Sequence, residues 1–209
     1  MMNVETTRPS FQAERVPALS VLNLPIFKNP GFDFVDLEIG CGVGWHPIQY
    51  AQKNPNRCLI ALEHGRDRFQ SFSRRLNRHA ELENLLALQA DAIPYLTHRM
   101  PSQSLDRVMI YYPNPYPKNS QANKRFHRMP FFEILLDRMK VGATLEIRSN
   151  EIGYITDAKD WLLNRWDMTL QSHSRISKLT DFNFSAVTHF EQKYFQRGEP
   201  LEFIVLKKV

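Results

Sequence analysis

Apolar residues recur along this chain in short runs separated by longer amphipathic segments. FVDLEI (34–39), CLIALE (58–63), LLALQ (85–89), DRVMIYY (106–112), ATLEIRS (143–149) and LEFIVLK (201–207) are aliphatic- and aromatic-rich, and each reads as a strand. Between them, residues 45–52, 66–80, about 130–139 and about 153–165 have helical character. Pro47 is tolerated in the first turn of the first helix, and Gly142 falls just past the expected end of the third. Strands alternating with helices predict an α/β fold with a mostly parallel sheet covered on both faces. Residues 1–33 are polar and interrupted by Pro9, Pro17, Pro25 and Pro30. They read as an N-terminal extension, wrapping the domain or partly mobile, ahead of one domain over 34–209.

This pattern gives the polar residues at strand ends their meaning. In open α/β sheets, ligands sit beyond the carboxyl ends of the strands. Gly40, Glu63, Asp91, Asn114 and Asn150 all fall at such ends. Composition narrows the field only modestly. The 209 residues are 43% hydrophobic and 23% charged, an ordinary globular balance that suits one domain. No apolar run is long enough to span a bilayer, and the first residues lack the apolar core of a signal peptide. Cys41 and Cys58 make no metal-ligand spacing, nor do the seven histidines, so no metal is expected and a cytoplasmic location is. The net charge of +5 suits a polyanionic partner without requiring one. Monomer and homodimer both stay open.

In DLEIGCGVGW, Gly40, Gly42 and Gly44 permit a tight strand-to-helix turn and close approach of a ligand to the backbone. Glu63, ending the next strand, is placed to accept ribose hydroxyls, and Asp91 to hold an adenine amino group. A dinucleotide site usually spaces its glycines G-x-G-x-x-G; here the order is G-x-G-x-G, with Glu38 inside the strand. Three acids would repel a pyrophosphate but suit a sulfonium and an amino group. The loop resembles the first motif of class I S-adenosylmethionine-dependent methyltransferases.

The fourth strand runs into YPNPYPK, followed by KR and PFF. This resembles the PDPWPK…KRR…PF signature of the tRNA (guanine-N7-)-methyltransferases. LEIGCGVG, ALE, QADA, LDRVMIYYP and THFEQKYFQRG are similar to further motifs of that family, in order, from about Phe34 onward. The resemblance implies a Rossmann-like class I fold with a seven-stranded sheet, S-adenosyl-L-methionine as cofactor and tRNA as partner. It implies cofactor contacts at Glu38, Gly40, Gly42, Gly44, Glu63, Asp91 and Asn114, with Asn114 also at the catalytic position. Substrate contacts are implied at Lys118, Asn150, Thr188, His189, Phe190 and Glu191. The family has aspartate where this chain has Asn114 and Asn150, and tryptophan where it has Tyr116.

Two acid-to-amide changes leave other readings open. Asn114-Pro115-Tyr116 also resembles, more weakly, the Asn-Pro-Pro-aromatic loop of amino methyltransferases. An exocyclic amine or a small molecule is therefore an alternative acceptor, and a non-catalytic ligand- or RNA-binding role is another. Lys118, Lys124, Arg125 and Arg128 are the expected phosphate contacts, with loop anchoring as their competing role. Arg68, Arg75 and Arg78 read as a solvated helix face. Trp45 reads as packing against the sheet, one of Tyr111 and Tyr112 as core, and the histidines other than His189 as surface.

Overall fold

The computed structural model describes residues 10–177 and 184–209. The first nine positions of the expected extension lie outside the described residues.

β1 (Phe34–Ile39), α1 (Trp45–Lys53), β2 (Arg57–Glu63), α2 (Arg66–Leu76), β3 (Leu85–Gln89), α3 (Ala92–His98) and β4 (Leu105–Tyr111) alternate through the first half. α4 (Phe132–Arg138), β5 (Met139–Ser149), α5 (Ile152–Arg165), β6 (Thr169–Ile176), α6 (His189–Gln196) and β7 (Leu201–Lys207) complete the chain. The strands form one seven-stranded sheet in the order β3-β2-β1-β4-β5-β7-β6. β1 to β5 pair in parallel, while β7 runs antiparallel to both β5 and β6. Strand order reverses between β1 and β4, so a crevice opens at their carboxyl ends.

β1 is buried on both faces because it lies mid-sheet; Val35, Leu37 and Ile39 fill one face. Its two acids are buried as well. Asp36 accepts hydrogen bonds from Tyr50 Oη (2.6 Å) and from the Arg57 guanidinium, which closes the amino-terminal end of the sheet. Burial and the Asp36 carboxylate push the Tyr50 hydroxyl up to about 12, so it remains a donor. Glu38, two residues further, faces the carboxyl end.

Four elements depart from the sequence pattern, one of them α6, which no helical reading covered. α3 begins directly on Asp91, whose Oδ1 accepts the Ile93 N–H as an N-cap. β6 pairs only with β7 and leaves most of its residues exposed, so no apolar alternation announced it. Gly142 does not end a helix. α4 stops at Arg138, and Gly142 sits inside β5 with φ +83°, where the register against β4 slips between Leu105 and Arg107. The described part of the N-terminal segment packs on α3 and α4. Val21 and Phe27 are buried there, Phe27 N–H donates to the Arg99 carbonyl, and the Phe11 ring lies edge-on to Phe131.

Candidate active site

β1 delivers the chain into residues 40–44, where Gly40, Gly42 and Gly44 all take positive φ. The Gly40 and Cys41 N–H groups bond the Leu62 carbonyl at the end of β2, pinning the loop to the sheet. A Cβ built on Gly40 or Gly42 would meet nothing within 4 Å, so these glycines border open space. Gly44 differs: it is buried against Phe72 and serves the turn beneath, not the cleft wall.

Above the crevice lies a cleft of about 690 Å³, within the range small-molecule sites occupy. Gly40, Glu63, Asp91, Tyr112, Asn114 and Lys124 line it, so glycine loop, second and third strand ends and proline loop meet in one cavity. A smaller niche of about 110 Å³ continues from it through Gly40, Arg68, Tyr111 and Tyr112. Glu38, Gly42, Trp45, Thr188, His189 and Phe190 border this niche. The expected cofactor residues other than Gly44, together with three of the expected substrate residues, therefore line two adjoining cavities.

Local bonding defines what each group can still do. Glu63 Oε2 accepts the Gly42 N–H (2.9 Å) and Oε1 the Gly65 N–H (2.7 Å), with Arg68 Nε at 3.1 Å. The carboxylate thus braces the glycine loop and retains lone pairs toward the cleft. Glu38 Oε2 lies 2.7 Å from His46 Nδ1, a buried pair at the niche floor. Burial, reinforced by Glu38 and Glu63, raises the Cys41 thiol well above its ordinary value, so it is not a thiolate nucleophile. Thr188 N-caps α6 by accepting the Glu191 N–H.

Other expected residues are placed differently. Glu191 is fully buried and accepts from Tyr112 Oη (2.9 Å), Arg148 Nη1 (2.9 Å) and the Val187 N–H (2.6 Å). It is a brace under the site, not a surface acid. Burial, with Glu191 beside it, raises the Tyr112 hydroxyl far above its usual value and keeps it a donor. Asn150 donates to Glu199 (2.8 Å) and lines neither cavity; Lys118 is exposed one residue beyond the loop.

Arg125 and Arg128, expected at phosphates, are turned inward onto Asp157 of α5, which also accepts from His127 Nε2 (2.6 Å). His46 and His127 are buried, contrary to the surface expectation, and Trp45 stands at the niche rim, edge-on to His189. Tyr111 and Tyr112 are both half-buried and both line the cavities, so neither is simply core. The Asp157 hub escaped sequence reading because its partners lie about 30 positions away, at no periodic spacing.

Switch-point topology, an open glycine cradle and acids suited to ribose, adenine and a cationic centre are together the marks of an S-adenosylmethionine-dependent class I methyltransferase. A family model described as "Putative methyltransferase" matches residues 33–203, and the chain belongs to that family. It is 27% identical over 176 residues to a tRNA (guanine-N(7)-)-methyltransferase of Nitrosomonas eutropha, covering 82% of this chain and 75% of that one. It is also 27% identical over 184 residues to a tRNA (guanine-N(7)-)-methyltransferase of Mycoplasma genitalium, with 83% of each chain covered. Among solved structures, an antibiotic-related methyltransferase superposes with a TM-score of 0.60 at 17% identity, covering 84% of this chain and 87% of that one. That likeness is one of fold.

Proposed function

We propose that this protein transfers the methyl group of S-adenosylmethionine to N7 of a guanosine in tRNA, in the cytoplasm. One observation carries the reading. The proline loop after β4, which is the stretch similar to the tRNA (guanine-N7-)-methyltransferases, places Asn114 on the wall of the cleft that holds Glu63 and Asp91. The two relatives described above, each matched over about four-fifths of this chain, support the same acceptor.

The residues fit the donor. Glu63 and Asp91, which line the cleft, would accept from the ribose hydroxyls and the adenine amino group, and Glu38, at the niche, would balance the charge of the amino-acid end. When bound, S-adenosylmethionine supplies an electrophilic methyl on a sulfonium. The chain's own task is then alignment. Guanine N7 carries an in-plane lone pair and no hydrogen, so no general base is required. Holding the attacking nitrogen in line is a proximity effect. Asn114, on a loop stiffened by Pro113, Pro115 and Pro117, borders the developing cationic imidazole ring and offers it an amide dipole. Exposed Lys124, on the cleft lining, and exposed Lys118, just after the proline loop, are the cations offered to tRNA phosphates.

Incubation with labelled donor and unmodified tRNA, followed by nucleoside analysis, tests the function. Label in N7-methylguanosine is the expected result. Donor binding without any N7 product would sink the proposal.

A further inference from the structure

The segment 114–116 is strained and unusually well held. Tyr116 adopts φ +44°, a left-handed conformation that non-glycine residues avoid, and it persists only where neighbours over-determine it. Three bonds do so. The Tyr116 N–H donates to Asn114 Oδ1 at 3.2 Å, closing an Asx turn across the site residue. Arg125 Nε donates to the Pro115 carbonyl at 3.1 Å, and Arg125 Nη2 donates to the Tyr116 carbonyl at 2.9 Å. The third arm of the guanidinium, Nη1, is seated on Asp157 Oδ2 at 2.8 Å. Only a planar fork reaches two adjacent carbonyls and a carboxylate at once. Asp157 is itself held by His127 and Arg128. Burial opposes its charge, yet these three donors keep the carboxyl far below the ordinary carboxylate range, so the seat stays anionic.

This arrangement decides which acceptor the loop can serve. Methylating an exocyclic amine forms an N–C bond as the S–C pair leaves on sulfur, at a nitrogen that still bears hydrogens, one of which then leaves to solvent as a proton. Oxygens nearby must accept hydrogen bonds from those hydrogens to turn the lone pair toward the methyl. The oxygens the loop offers for that purpose are Asn114 Oδ1 and the backbone carbonyls beside it. Asn114 Oδ1 and the Pro115 and Tyr116 carbonyls each already accept a hydrogen bond, and the last two lie against a fixed cation that lowers the basicity of the remaining lone pairs. At guanine N7 the lone pair forms the N–C bond, the S–C pair leaves on sulfur, and no proton moves. We propose that Arg125, seated on Asp157, is the specificity-determining positioning residue of this site. It holds the Asn114–Tyr116 loop in a form whose Asn114 Oδ1, Pro115 and Tyr116 oxygens each already accept a hydrogen bond and are weaker acceptors for an amine, favouring a nitrogen that bears no hydrogen. The inference rests on the N7 reading and explains how the loop enforces it.

The test compares wild type with Arg125→Lys, which keeps the charge but loses the fork, and with Asp157→Asn, which keeps Arg125 but weakens its seat. S-adenosylhomocysteine affinity, tRNA KM and kcat, the methylated nucleosides formed, and hydrogen exchange at the Tyr116 amide are measured for each. In Arg125→Lys, kcat for N7 should fall about tenfold or more while KM and S-adenosylhomocysteine affinity stay within about threefold. Tyr116 exchange should accelerate, and amine-methylated nucleosides should rise relative to the N7 product. Asp157→Asn should move the same quantities less, and it carries the test if Arg125→Lys does not fold. Unchanged kcat and Tyr116 exchange in both variants, or loss of S-adenosylhomocysteine affinity in step with kcat, would overturn the proposal alone. Wild-type label at an exocyclic amine would overturn both the proposal and the function beneath it. Tyr116 exchange reports the positioning role even without turnover.

Discussion

Gly44 meets two demands that no other residue satisfies. Its φ is +78°, and a Cβ built there would stand 1.9 Å from the Phe72 ring. Substituting alanine combines a left-handed backbone penalty with overpacking of a buried aromatic. Gly44→Ala should lower unfolding stability by about 2–4 kcal/mol in a urea titration. Asn114 is a different kind of residue, set by the proposed mechanism beside the reacting ring. Its Oδ1 closes the turn with Tyr116, a bond an aspartate oxygen would also make, so Asn114→Asp should leave the loop's shape intact. The added charge would stabilise the cationic ring, because a charge-assisted contact contributes about 1.5–3 kcal/mol against about 1 for a neutral one. A single-turnover rate of N7 methylation about tenfold faster is therefore expected. No increase would show that charge at this position does not limit the step.

At the scale of elements, the proline loop is gripped at both ends by partners distant in sequence. At its entry, Tyr112 leaves β4 with φ +50° and is fixed by its N–H to the Arg148 carbonyl and its hydroxyl to Glu191 at the start of α6. At its exit, α5 supplies Asp157. His127 makes this second grip sensitive to pH. Burial lowers its pKa below the ordinary histidine value, and the bond to Asp157 offsets that only in part. With the folded pKa below the unfolded value of about 6.5, neutral His127 contributes stability that is fully present above about pH 6.5 and lost as pH falls through the folded pKa. Its Nε2–H then donates to Asp157, leaving Nδ1 as the bare acceptor with no partner. The thermal midpoint should drop from about pH 7 to about pH 5.5 and drop less steeply in His127→Gln, which still offers Asp157 a donor. Parallel pH profiles for the two proteins would contradict this account.

The whole molecule carries a modest positive excess, but its placement matters more than its size. Arg125 and Arg128 neutralise Asp157, and Arg68 lies on Glu63. Lys124 remains exposed on the cleft lining, and Lys118 is exposed just after the proline loop. tRNA affinity should therefore fall with salt, and Lys118→Ala with Lys124→Ala should reduce the slope of log K against log salt by about 1–2. S-adenosylhomocysteine affinity should hold constant across the same series. An unchanged slope in fluorescence anisotropy would move the RNA path elsewhere. Among the described residues, no helix is long and apolar enough to cross a membrane, and no group of three or more histidine, cysteine or carboxylate residues could hold a metal ion.

The sequence by itself determined the parallel half of the sheet, because strands buried on both faces are rich in apolar residues and so announce themselves. It also determined the ligand end: glycines and acids at successive strand ends need only chain order to be brought together. It could not reveal β6, whose exposed polar residues pair with β7 without apolar alternation, nor the bulge that puts Gly142 inside β5. Above all it left the prolines at 113, 115 and 117 with only half of their explanation. Proline fixes φ at its own positions and says nothing of Tyr116 between them. The hold on the left-handed turn there, through the Pro115 and Tyr116 carbonyls, was decided by Arg125 and by an aspartate 32 residues further on. Side-chain bonds across such distances exist only once helix and loop have packed together, so tertiary structure alone could set them.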